Sequence, residues 1–113
     1  MDAILEQDQE IPVRELIERF ERDMLYDCHG YVLRFSRSQA RKELVRRGKK
    51  TLKPIAEHLR VHPPGSGMGL DTAWGNLLCL IGTSLPVEDG PKLFNDTRGW
   101  IEWAERTDQI LVE

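Results

Sequence analysis

Ala40-Arg-Lys-Glu-Leu44-Val45-Arg-Arg-Gly48 decides the fold, because it returns thirty-four positions later as Trp74-Gly-Asn-Leu-Leu78-Cys79-Leu-Ile-Gly82. Ala40 aligns with Trp74, Leu44 with Leu78, Val45 with Cys79 and Gly48 with Gly82. In each copy an apolar helical stripe ends at a glycine and a second apolar segment follows. A fixed period near this length is the mark of stacked helix-turn-helix units, so the chain is expected to be all-α, a short solenoid.

The pattern extends outward in both directions. From Pro12, residues Val13, Leu16, Ile17, Phe20 and Met24 fall on one helical face, and Gly30 stops that helix. Arg14, Glu15, Glu18, Arg19, Glu21 and Arg22 form its solvated side. Tyr31–Phe35 suits either an extended piece or one apolar turn and is read as a packed connection. Ser36 with Gln39 is a capping-box signal for a second helix running to Arg47, with Gly48 as its left-handed cap. A third helix starts near Thr51, with Leu52, Ile55, Ala56 and Leu59 inward.

Pro63-Pro64-Gly65-Ser66-Gly67-Met68-Gly69 cannot continue a helix and reads as a linker. Asp71 is the expected N-cap of a fourth helix ending at Gly82. After a loop from Thr83 to Pro91, Asp96 caps a last helix from Thr97 to Arg106, with Trp100, Ile101 and Ala104 inward. The single domain then divides into a lead-in at 1–11, a capping helix at 12–29, one hairpin at 36–60 and a second at 71–106.

Residues 38–60 resemble one unit of a HEAT-type repeat, carried by Ala40, Leu44, Gly48, Leu52, Pro54 and Ile55. Residues 71–106 resemble a second, degenerate unit through Trp74, Leu78, Gly82, Leu85 and Pro86, departing from the first by its long loops. The resemblance implies a right-handed α-α superhelix and a role in binding, and it implies no catalytic residues. Two units are fewer than the three or so that bury a continuous core. Either the outer helices cap the stack or the protein forms a homodimer.

Of the 113 residues, 40% are hydrophobic and 31% charged, ordinary for one soluble domain. The longest apolar run, Leu77–Ile81, is far short of a bilayer span, so no membrane role is expected. The acidic start, Met1-Asp-Ala-Ile-Leu-Glu6, carries no export signal, which implies a cytoplasmic protein with Cys28 and Cys79 as reduced thiols.

The net charge of −3 hides a segregation. Residues 1–33 hold nine acids and three bases, 34–53 nine bases and one acid, and 54–113 nine acids and four bases. The cations Arg34, Arg37, Arg41, Lys42, Arg46, Arg47, Lys49, Lys50 and Lys53 therefore sit in twenty residues. They either offer a surface to an anionic partner or pair with the acidic first helix through Glu18, Glu21 and Asp23. Pairing is the preferred reading. The pI of about 5.6 and the lack of stacking aromatics besides Tyr31 and Phe35 argue against a dedicated nucleic-acid binder.

Three other constellations are weaker. Asp27-Cys28-His29 with His58 and His62 lacks the paired spacing of a zinc site, so no metal is expected. Cys28 and His29 are adjacent and point apart on a helix, which is no dyad, and no other catalytic motif is present. Trp100 and Trp103, three apart, either seal the core or leave one ring as an interface anchor.

The sequence thus points to a helical module that binds a protein and carries no cofactor, of which a bacterial immunity-type inhibitor is one form. Its expected partner-binding residues are Arg37, Arg41, Lys42, Arg46, Lys49, Lys50 and Trp103. Nucleic acid bound through 34–53 is the alternative.

Overall fold

The expected helices form where apolar residues recur every three or four positions. A computed structural model describes residues 11–26, 30–65 and 69–111, and among these there is no strand. The order is α1 (Val13–Tyr26), α2 (Tyr31–Arg37), α3 (Gln39–Arg47), a 3-10 turn (Gly48–Thr51), α4 (Leu52–Val61), α5 (Leu70–Thr83) and α6 (Thr97–Ile110). No helix of the described residues is long and apolar enough to cross a membrane.

The inner faces assemble one core. Leu16, Ile17, Phe20 and Met24 of α1 meet Ala40 and Leu44 of α3, while Leu52, Ile55, Ala56 and Leu59 of α4 pack in the same cluster. Trp74, Leu77, Leu78 and Ile81 of α5 and Trp100, Ile101, Trp103 and Ala104 of α6 complete it. The Phe20 ring stands edge-on to Trp74 at 4.7 Å between centroids, a favoured aromatic geometry.

Contacts between helix ends fix directions. Arg47 Nη1 donates to the Ile11 carbonyl and Ser38 Oγ to Asp23 Oδ2, so α1 and α3 run antiparallel. Lys49 Nζ reaches the Leu111 carbonyl and Arg60 clamps Glu105, so α4 and α6 also run antiparallel. The Arg60–Glu105 pair is bidentate, which raises the guanidinium pKa and lowers that of the carboxyl.

Several boundaries differ from expectation for local reasons. Tyr31–Arg37 is a helix rather than a connection, because Phe35 turns into the core and the Tyr31 ring stacks on it. Ser36 lies inside that helix, bonding back to Val32, so the cap of α3 is Ser38, whose Oγ accepts from Arg41 N. Gly69, at φ +82°, caps α5, and Asp71 sits buried in its first turn, where a carboxylate favours the helix dipole. Asp96 does cap α6, accepting from Gly99 N, but the helix continues past Arg106 because Thr107 is buried. Residues 1–10 of the expected lead-in at 1–11 and the Asp27-Cys28-His29 segment lie outside the described residues.

Ser38 holds two elements with one hydroxyl: it caps α3 and donates to Asp23 on α1 at 2.6 Å. Ser38→Ala is expected to cost about 1–2 kcal/mol, the loss of a cap and a charge-assisted bond. Thermal unfolding followed by circular dichroism should show a melting temperature lower by roughly 5–10 °C.

Candidate functional site

The strongest charged feature is a groove of about 770 Å³ between α1, α2 and α3. Helical spacing builds its walls. Arg19 and Arg22 are three apart on α1, Arg34 and Arg37 are three apart on α2, and each pair shares one side of its helix. Asp23, Ser38 and Glu43 add polar groups, and Ile11, Leu16 and Ala40 add apolar surface. Arg19 is paired with Glu15 on its own helix, and Arg34 and Arg37 are engaged by other groups of the chain.

Glu43 is the electrostatic anchor of the neighbouring wall. Arg46 Nε donates to Oε1 at 2.9 Å and Arg47 Nε to Oε2 at 2.8 Å. Hydrogen bonds from Arg46 and then Arg47 bring the Glu43 pKa down to about 2. A carboxyl whose folded pKa lies below its unfolded value stabilises the fold at pH above the unfolded value. That contribution fades as pH falls from about 4.3 towards 2. Acid titration of Glu43→Gln beside the parent should therefore show a stability gap near neutrality that closes across this window.

The cations expected to bind a partner are dispersed. Arg37 reaches the groove. Arg41 folds back, with Nε on the Phe35 carbonyl at 3.0 Å and its guanidinium 5.2 Å above the Phe35 ring, and burial lowers its pKa. Arg46 is held by Glu43, and Lys49 by the Leu111 carbonyl. Lys42, Lys50 and Lys53 are exposed and have no ion pair among the described residues. Of the helix-one acids named as pairing candidates, Asp23 accepts from Ser38 and Glu21 turns inward to accept the Trp74 indole.

Trp103 is a correction. It is 1% exposed, stands edge-on to Trp100 at 5.3 Å, and donates its indole N–H to the Glu88 carbonyl. Trp100 likewise donates to the Leu93 carbonyl. Both rings pin the 84–96 segment across the end of the core, so Trp103 offers no exposed ring for a partner. A smaller cleft of about 310 Å³ lies beside them, with Cys79 on its lining.

The histidines also have a place. His58 Nε2 lies 2.8 Å from Glu21 Oε2, and the same oxygen accepts Trp74 Nε1 at 2.9 Å. One carboxylate oxygen thus ties α4 and α5 to α1. The His62 ring stands 5.4 Å from that of His58. Among the described residues no three His, Cys, Asp or Glu side chains are grouped to hold a metal ion.

Arg19 and Arg22 are the groove residues that sequence reasoning missed. They were assigned to the solvated side of α1, and only the placement of α2 beside α1 turns that side into a wall. No family model, no curated protein and no solved structure matches this chain.

Proposed function

We propose that the chain is a small cytoplasmic helical module that binds another protein through the groove between α1, α2 and α3. The observation that carries this reading is four arginines on two adjacent helices around one open space. Guanidinium groups recognise carboxylates in a bidentate manner, and arginine is the cation favoured at protein interfaces. Asp23 and Glu43 in the same lining give the groove both signs of charge. A protein surface also carries both signs, whereas a phosphodiester chain carries one, so the mixture favours a protein partner. A partner-specific inhibitor of the immunity type is one form such a module takes.

A HEAT-like arrangement remains part of the proposal. Its support is that equivalent helices of the two hairpins touch, α3 with α5 and α4 with α6. Equivalent positions are also buried alike: Ala40 with Trp74, and Leu44 with Leu78. The antiparallel course of α4 and α6 is a departure from a regular stack, in which equivalent helices run the same way.

Nucleic acid is the second reading, favoured by exposed Lys42, Lys50 and Lys53 around the α3–α4 turn. The two separate in a nuclease-treated pull-down at low and high salt, run with the parent and with Arg22→Glu/Arg37→Glu. The proposal expects one defined protein, retained by the parent at high salt and lost with the double variant. Recovery abolished by nuclease, or by salt with both proteins alike, contradicts it and transfers the function to the lysines.

A further inference from the structure

The groove opens beside Ile11. Arg47 joins the Ile11 carbonyl and Glu43 at that end, and Ser38 donates to Asp23 at the other. All four of the joined residues Ile11, Glu43, Ser38 and Asp23 line the groove, so it follows α1 from its first turn to its last. Ile11 to Arg22 spans eleven residues, about 16 Å at helical rise.

Residues 1–10, which lead into Ile11, carry Asp2, Glu6, Asp8 and Glu10 and no lysine or arginine. An extended chain advances about 3.3 Å per residue. Glu6 is five residues before Ile11, so a chain turned back at Glu10 brings it about 16 Å along the groove, level with Arg22. Leu5 and Ile4 then pass that level. Leu33, one turn before Arg37 on α2, is 49% exposed on that side of Ser38.

Two donors on this path lack acceptors among the described residues. Arg22 is exposed and makes no hydrogen bond or ion pair there. Arg47 Nη2 is buried and without a hydrogen-bond partner, on a side chain only 11% exposed. A buried orphan donor costs about 1–3 kcal/mol, so an acceptor supplied at that point is stabilising. Glu10, joined to Ile11, is the residue placed to supply one. Arg19, Arg34 and Arg37 keep their own partners and serve only as walls.

We infer that residues 1–10 lie back along the groove, antiparallel to α1, with Glu10 on Arg47 and Glu6 on Arg22. The segment is a built-in occupant, and a partner enters the groove only as the segment leaves. That consequence rests on the protein-binding reading above; the docking itself does not.

The test places a nitroxide on Gln7→Cys in the full chain, with Cys28→Ser and Cys79→Ala, and follows amide intensities by NMR. Arg19, Arg22, Asp23 and Ser38 are expected to broaden. Glu6→Arg and Arg22→Glu are each expected to weaken docking about threefold, the size of one exposed ion pair, and the double exchange to regain most of it. Broadening confined to Ile11, Glu43 and Arg47 would mean that the segment leaves the groove at its root, and overturns the inference. So does broadening of an unlabelled copy in a mixed sample, which would make the occupant a second chain. Single variants without effect overturn it as well. The expected broadening beside a pull-down with no groove-dependent protein would keep the docked segment and remove the partner.

Discussion

Replacing Trp74 by alanine is expected to cost about 3–5 kcal/mol, the range for deleting a fully packed indole. The ring is 1% exposed, meets Phe20 edge-on, and lies at the crossing of α1, α4 and α5. Its N–H is also one of the two donors on Glu21 Oε2, so the truncation leaves that oxygen with His58 alone. Glu21 is part-exposed, and water will recover some of the lost bond. The larger share of the loss is therefore the cavity. Trp74→Phe separates the terms: it retains most of the packing, drops the donor, and should cost about 1–2 kcal/mol. Urea unfolding followed by circular dichroism reads both. At a slope of about 1.5 kcal/mol/M the alanine midpoint falls by about 2–3 M. A fall below about 0.5 M would mean that Trp74 does not organise the core.

Gly75→Ala is expected to destabilise by about 2 kcal/mol, although two effects oppose each other. In a helix interior alanine is better than glycine by about 1 kcal/mol. Here the added Cβ would stand 1.9 Å from the Phe94 carbonyl oxygen and 2.8 Å from the Phe94 Cα. The obstacle is backbone, which cannot rotate aside, so the 93–95 segment must move. That segment includes the Leu93 carbonyl that accepts the Trp100 indole, so the shift breaks a second contact. Overpacking of this kind costs about 3 kcal/mol, which outweighs the propensity gain. Urea unfolding should show the loss, with a red shift of tryptophan emission as the Trp100 end of the core opens. A stabilised variant would mean that the 84–96 segment does not lie against α5.

Helical periodicity made the inner faces legible. Leu52, Ile55, Ala56 and Leu59 were read as one stripe, and all four are fully buried. The internal match also extended to burial, yet its two glycines act differently. Gly48 takes φ +63°, a conformation that side chains resist, whereas Gly82 lies inside α5 and admits the edge of Trp103. A sequence shows that a glycine is present, but the group that approaches it is set by tertiary packing. The same limit hid α2, because seven residues are too few for a period to declare itself. It also hid the Ser38 cap behind the nearer Ser36 signal.

The site was less legible than the fold. The basic block was visible as a charge count, but a count does not say which cations fold back on their own chain. Arg41, Arg47 and Lys49 spend donors on the backbone carbonyls of Phe35, Ile11 and Leu111, and Arg46 on Glu43. Arg37 of the block joins Arg19 and Arg22, residues that looked like an ordinary wet face. The groove exists because α2 lies beside α1, a long-range fact that local spacing does not encode.

The most direct test of a protein-binding arginine groove is a matched pair of charge reversals against the partner recovered in the pull-down. Arg22→Glu/Arg37→Glu and Lys42→Glu/Lys50→Glu alter net charge equally, so a difference between them reports position rather than total charge. Affinity for that partner, measured by calorimetry at physiological salt, is predicted to fall about tenfold or more for the arginine pair and less than about threefold for the lysine pair. Equal losses, or a greater loss for the lysines, would contradict the groove as the binding site.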